Sequence, residues 1–121
     1  MSAPVLVIDD SPTIRTLMRS ALERAGYAVH EAIDGEDAYE QLDGRTLGLI
    51  VCDLAMPRMD GLSFLRLLRH HPRYRFTPVL LLSTETRPDR KAAVKAAGAQ
   101  AFLPKPCRPS DLVDAVRRLC Q

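Results

Sequence analysis

Val5-Leu6-Val7-Ile8-Asp9-Asp10-Ser11-Pro12 is the stretch that decides the architecture. Its first four residues are apolar and mostly β-branched, the pattern of a short strand buried on both faces. Asp9 and Asp10 close that strand. Ser11 then supplies a capping hydroxyl, and Pro12 a residue suited to the first position of a helix. Ile14, Leu17, Met18, Ala21, Leu22 and Ala25 recur at helical spacing, so the helix has one apolar face. Gly26 ends it.

The same strand-then-helix alternation continues outward. Residues 27–29 form a second, weaker strand, and Asp34-Gly35 a turn. Residues 35–43 read as a short, acidic, exposed helix. A third strand over 47–52 is closed by Asp53, and Pro57 and Asp60-Gly61 mark a loop and a helix cap. Residues 62–70 form an apolar-rich helix that ends before Pro72. Leu62, Leu65, Leu67, Leu68 and Phe64 spread over more than one face, so part of that set is exposed. A fourth strand over 78–82 is closed by Ser83-Thr84. A helix runs from Pro88 to near Gly98, a fifth strand covers 99–103, and Lys105-Pro106 follows. Leu112, Ala115, Val116 and Leu119 give a last amphipathic helix. Strands alternating with helices imply an α/β fold, a parallel sheet with helices on both faces. No repeat, low-complexity segment or linker interrupts the pattern.

Composition bounds what such a chain does. Its 121 residues suit one domain, and 46% hydrophobic with 26% charged residues argue against disorder. No apolar run approaches the roughly 20 residues that span a bilayer. Met-Ser-Ala-Pro offers no basic region ahead of an apolar one, so a secretory leader is not expected and the expected location is cytoplasmic. Cys52, Cys107 and Cys120 are odd in number and lack a C-x-x-C spacing, which argues against a disulfide scaffold or a cysteine-rich metal site; Cys52 reads as a small core residue. The charge is uneven: residues 1–60 carry 5 basic and 11 acidic side chains, residues 61–121 carry 12 and 4. The basic half lacks the pattern of a nucleic-acid surface, and direct nucleic-acid binding is not expected. Lys91, Lys95, Arg108, Arg117 and Arg118 are candidates for a basic docking face or a solvated one.

In an open α/β sheet, function gathers at the carboxyl ends of the strands. Those ends carry Asp9, Asp10, Asp53, Ser83, Thr84 and, just beyond the fifth strand, Lys105. Three carboxylates together repel one another unless a cation intervenes. Hard oxygen ligands suit Mg²⁺, with Mn²⁺ an alternative. A carboxylate can act as nucleophile toward phosphorus, and a phosphoryl group is met by metal, lysine and hydroxyl donors.

Val7-Ile8-Asp9-Asp10, the run from Asp53 to Gly61 (Asp-Leu-Ala-Met-Pro-Arg-Met-Asp-Gly), Ser83-Thr84 and Lys105-Pro106 together resemble a response-regulator receiver domain of the CheY type, over residues 1–121. The resemblance implies a doubly wound five-stranded sheet in the order 2-1-3-4-5. It implies Asp53 as phosphoacceptor, and Asp9, Asp10, Asp53 and the backbone carbonyl of Ala55 as the metal site, with Asp9 acting largely through a metal-bound water. Ser83 is then the switch hydroxyl, Lys105 the partner of the acceptor or phosphoryl oxygen, and Phe102 the aromatic switch. The Lys105–Pro106 bond is expected to be cis, against the general trans preference. The implied partners are a sensor histidine kinase or phosphotransfer protein, and an output protein or an effector domain absent from this chain. The face around the fourth helix, fifth strand and fifth helix is the expected output surface. The chain reads as a single-domain regulator or as the N-terminal receiver of a longer one. It is expected to be a phosphoacceptor, not a turnover enzyme.

Three departures from that family matter. Ser83 stands where Thr is commoner, keeping the donor without the methyl group. Phe102 stands in place of Tyr and has no hydroxyl. Ala55 replaces a larger polar side chain and cannot orient a water. Other readings are weaker. A haloacid-dehalogenase-like phosphatase needs a second acid two residues after the nucleophile, where Ala55 stands. A flavodoxin-like cofactor loop conflicts with Asp9 and Asp10 and the absence of glycine there. A phosphorylation-independent docking module would not require the intact set of site residues. Glu85 reads as a solvated loop acid near the site. His30, His70 and His71 are scattered and flank no nucleophile.

Overall fold

The structure, a computed structural model, describes residues 3–56, 58–84 and 87–120. Along the chain it runs β1 (Val5–Ile8), α1 (Pro12–Arg24), β2 (Val29–Ala32), α2 (Gly35–Glu40), β3 (Leu49–Asp53), α3 (Gly61–Arg69), β4 (Val79–Ser83), α4 (Pro88–Ala96), β5 (Ala101–Pro104) and α5 (Pro109–Leu119). The strands form one parallel sheet in the order β2-β1-β3-β4-β5.

The pleat of the central strands divides the apolar residues between two cores. Leu6, Ile8, Ile50, Cys52, Val79 and Leu81 face α2, α3 and α4, with Ala38, Phe64, Leu65, Leu68 and Val94 packed on them. Val5, Val7, Leu49, Val51, Leu80 and Leu82 face α1 and α5, meeting Met18, Leu22, Leu112 and Val116. This explains why β1, β3 and β4 read as unbroken apolar runs: both faces of each are covered.

The helix punctuation works as the residues suggest at α1. Ser11 Oγ accepts from the Ile14 amide, Pro12 opens the helix, and Gly26 lies just past the Ala25 cap at φ +99°. Asp60 caps α3, its side chain accepting from the Ser63 amide at 2.8 Å. Leu67 is the exposed member of the α3 leucines, while Leu62, Leu65 and Leu68 are buried.

Three sequence expectations require correction. The second strand is not residues 27–29 but Val29–Ala32. Its centre is polar, His30 and Glu31, so the strand lacks an apolar run. Glu31 is held by Arg19 at 2.7 Å and Arg15 at 3.3 Å from α1, which makes a carboxylate acceptable on an edge strand. These guanidiniums, Arg19's hydrogen bond first, hold the Glu31 carboxyl below its ordinary pKa despite partial desolvation. The second helix stops at Glu40 and is not exposed all round: Gly35 and Ala38 are buried within it, and Leu42 beyond it. Its acidic residues occupy one face, and a small apolar face packs beneath. The third, fourth and fifth strands end one residue later than expected, so Asp53, Ser83 and Pro104 are the last residues of their strands.

Candidate functional site

The parallel register brings the strand ends together. Ile8 pairs with Cys52, Asp53 with Leu82, and Ser83 with Pro104, so Asp9, Asp53, Ser83 and Lys105 stand at one edge of the sheet. Asp9, Asp53 and Ser83 are buried, whereas Asp10 is exposed. One oxygen from each of Asp9, Asp10 and Asp53 lies within 4.8 Å of the others.

Each carboxylate is fixed differently. Asp9 Oδ1 accepts from the Ser11 amide at 2.8 Å. Asp9 Oδ2 is buried with no hydrogen-bond donor among the described residues; Lys105 Nζ lies 3.6 Å away. Asp53 Oδ1 accepts from the Ala55 amide at 3.3 Å, and Asp53 Oδ2 from Lys105 Nζ at 3.1 Å. The Lys105 amide in turn donates to the Ser83 carbonyl at 2.8 Å, tying the lysine to the end of β4. The Lys105–Pro106 peptide bond is cis.

The electrostatics follow from that packing. Burial is the main influence on Asp53 and raises its pKa; Lys105 and the Ala55 amide pull it down, and the Asp9 charge pushes it up again. Burial also opposes the Lys105 charge, but the hydrogen bond and attraction from Asp53, with Asp9 adding to them, leave its pKa raised. Below Asp53 in the core, desolvation pushes the Cys52 thiol well up, so it is a packing residue and not a nucleophile.

A consequence for stability has a definite sign. An acid whose folded-state pKa is raised binds its proton more tightly when folded, so its ionised form disfavours the fold. That penalty is absent below the unfolded value, about 4, and grows as pH rises through the folded value. Asp53→Asn is therefore expected to melt above wild type at neutral pH in chelator, with the difference closing as pH falls toward ~4. Equal melting temperatures at neutral pH would refute the balance described here.

The donor set fits a small hard cation. Three carboxylates converge, and among the described residues Asp9 Oδ2 is a buried acceptor without a donor, which a cation or its bound water would satisfy. Ala55 lines the adjoining cavity of about 490 Å³, together with Asp10, Met56, Asp60, Ser83, Thr84 and Arg90.

The β3–α3 loop beside this cluster is clamped from two sides. Arg58 adopts a left-handed backbone, φ 66°, and its guanidinium reaches the buried Asp34 carboxylate at 2.9 Å. A Cβ on Gly35 would stand 2.9 Å from Met59 Sδ, and one on Gly61 would stand 2.7 Å from the Asp53 carbonyl oxygen. Only glycine lets α3 begin so close to the end of β3.

The candidate residues Asp9, Asp10, Asp53, Ala55, Ser83 and Lys105 thus meet at one place. Phe102 does not; it is half-buried on β5, with Lys91 Nζ 5.8 Å from its ring centroid. Pro57 and Glu85 lie outside the described residues. Sequence reasoning missed Arg58, Asp34 and Arg90. The first two are distant in sequence, and no local pattern pairs them. Arg90 sits seven residues after Ser83, where only the path of the chain into α4 reveals that it faces the cavity.

Comparison with known proteins agrees with this architecture. The family model described as the response regulator receiver domain matches residues 5–117. A gliding motility regulatory protein of Myxococcus xanthus is 40% identical over 101 residues, covering 84% of this chain and 13% of that protein. The transcriptional regulatory protein SrrA of Staphylococcus aureus is 33% identical over 119 residues, covering 98% of this chain and 48% of that protein. The chain therefore spans less than half the length of these two relatives. The chemotaxis protein CheY4 of Vibrio cholerae superposes with a TM-score of 0.93 at 39% identity, covering 98% of this chain and 99% of that one. A putative response regulator from Chloroflexus aurantiacus gives 0.91 at 31% identity, covering 99% and 98%. No helix among the described residues is long and apolar enough to cross a membrane. With the parallel order 2-1-3-4-5 and the carboxylate cluster at its strand ends, the chain belongs to the response regulator receiver domain family, the phosphoryl-accepting switch of two-component signalling.

Proposed function

We propose that Asp53 accepts a phosphoryl group in an Mg²⁺-dependent reaction, from a sensor histidine kinase or a phosphotransfer protein, and that this alters a partner-binding face around α4, β5 and α5. The observation that carries the reading is Asp53 held at 3.1 Å by Lys105, beside a buried Asp9 oxygen with no hydrogen-bond donor among the described residues. An Mg²⁺ at Asp9, Asp10, Asp53 and the Ala55 carbonyl would supply charge neutralisation at the phosphoryl oxygens.

The chain's own residues do the rest. A carboxylate oxygen of Asp53 attacks phosphorus, an O–P bond forms, and the P–N bond to the donor histidine breaks with its electron pair returning to the imidazole. Lys105 holds the acceptor before transfer and meets added negative charge after it. Ser83 carries a hydroxyl at the same edge, able to donate to a phosphoryl oxygen. Its movement inward leaves space that Phe102 fills, and Lys91 over the Phe102 ring belongs to the face so remodelled. Lys91, Lys95, Arg108, Arg117 and Arg118 are exposed there and suit an acidic protein partner or an effector domain. The setting is the cytoplasm, where such kinases present their phosphohistidine. The role is that of a regulator and not a turnover enzyme.

Intact-protein mass spectrometry after incubation with a small phosphodonor tests the reading, with Mg²⁺ in one arm and chelator in the other. One phosphoryl adduct that needs the metal is expected. No adduct in either arm, and no beryllofluoride binding, would make the fold a docking module instead.

A further inference from the structure

Arg90 lies in the first turn of α4, half-buried, on the wall of the cavity that Asp10, Ala55, Ser83 and Thr84 also line. Among the described residues its guanidinium has neither hydrogen bond nor ion pair, although Asp10 and Asp60 border the same cavity. Many arginines elsewhere in the chain are engaged, among them Arg15 with Glu31, Arg58 with Asp34 and Arg108 with Asp111. Arg66, Arg117 and Arg118, which also have no ion pair or side-chain hydrogen bond among the described residues, are exposed, whereas Arg90 is half-buried on a cavity wall. Asp53 already has its cation in Lys105, so the resting cluster leaves Arg90 unused. A phosphoryl group would bring further negative charge and several acceptor oxygens into this cavity. A planar guanidinium fork matches such a group better than any other side chain.

We propose that Arg90 is a second cation for the phosphoryl group carried by Asp53, and that through it the phosphoryl group takes hold of α4. This rests on the phosphoacceptor reading above. The next residue, Lys91, lies 5.8 Å from the Phe102 ring centroid. Two consecutive residues of one helical turn thus face the acceptor cavity and the aromatic of the output face. Engagement of Arg90 shifts the first turn of α4 and, with it, the Lys91–Phe102 contact. Ser83 acts from the end of β4, so the phosphoryl state is read by two elements and not one.

The test is titration of the intact chain with beryllofluoride in Mg²⁺, followed by calorimetry and by amide NMR. Wild type, Arg90→Ala, Arg90→Lys and Asp53→Asn are compared. Arg90→Ala is expected to weaken beryllofluoride binding by about tenfold, the worth of a hydrogen bond to a charged group. Arg90→Lys recovers part of this, because it keeps the charge without the fork. Mg²⁺ affinity of the unmodified site is not weakened by Arg90→Ala, since no cation ligand is removed. The beryllofluoride-induced shifts of the Lys91 and Phe102 amides shrink in Arg90→Ala. Arg90→Ala binding beryllofluoride within about twofold of wild type, with undiminished shifts, would overturn the assignment. A wild type that binds no beryllofluoride overturns the phosphoacceptor reading and this assignment with it. Wild-type binding lost only in Asp53→Asn leaves that reading standing and removes Arg90 alone.

Discussion

Asp53→Asn is expected to take up no phosphoryl group, and neither neighbouring carboxylate replaces it. Asp9 is buried, its Oδ1 is bound to the Ser11 amide, and its Oδ2 faces Lys105. Asp10 is exposed and has no contact with Lys105 among those described, so it lacks the fixed protein cation that Asp53 has. Asp9 has a backbone amide on one oxygen and Lys105 at 3.6 Å from the other, but it is the more deeply buried of the two; Asp53 holds the lysine within hydrogen-bond distance, 3.1 Å, with the Ala55 amide on its other oxygen. Intact mass with peptide mapping checks this; an adduct on Asp9 or Asp10 in the variant would show that placement does not select the acceptor. Lys105→Ala keeps the nucleophile and removes its cation. Its uptake is expected to slow by roughly a hundredfold, the usual cost of deleting one preorganised donor at a site of developing charge. Rates within about threefold of wild type would reduce Lys105 to a packing role.

The largest expected loss of stability lies beneath the site, at Phe64. Its side chain is fully buried among residues of β1, β3 and β4 and of the helices on their α3 side. Truncation removes the apolar surface of a ring and leaves a cavity that rigid strands on one side cannot close. Phe64→Ala is expected to cost about 3–5 kcal/mol, which for a domain of this size lowers the melting temperature by roughly 10–20 °C. Chemical denaturation with an unchanged m-value would place the loss in the native state. A loss below about 1 kcal/mol would mean that α3 settles into the void, contrary to the packing described.

Most of the fold was legible because β1, β3 and β4 are covered on both faces and therefore read as apolar runs. The caps at Ser11, Pro12 and Asp60 act locally, so their chemistry survives in the sequence. The second strand was misplaced because its identity depends on Arg15 and Arg19, which reach Glu31 from another element. No window over residues 27–32 contains those arginines. The acceptor cluster was legible as residue types at strand ends, with the resemblance assigning the roles. The clamp between Arg58 and Asp34 was not, since it joins two loops 24 residues apart through a backbone conformation that arginine rarely adopts. Arg90 stayed hidden for a similar reason: its helix gives no sign of which face looks into the cavity.

The strand order has one more effect. Because β2, β1 and β3 lie on one side of the sheet and β4 and β5 on the other, the acid-rich residues 1–60 and the base-rich residues 61–121 are also parted in space. A molecule of nearly balanced charge thereby gains a large permanent electric moment across its strands. Long before contact, at separations within the Debye length of about 10 Å at 0.1 M salt, a charged partner exerts a torque on it. Collisions then begin already turned, and the rate of productive encounter becomes a quantity that depends on ionic strength.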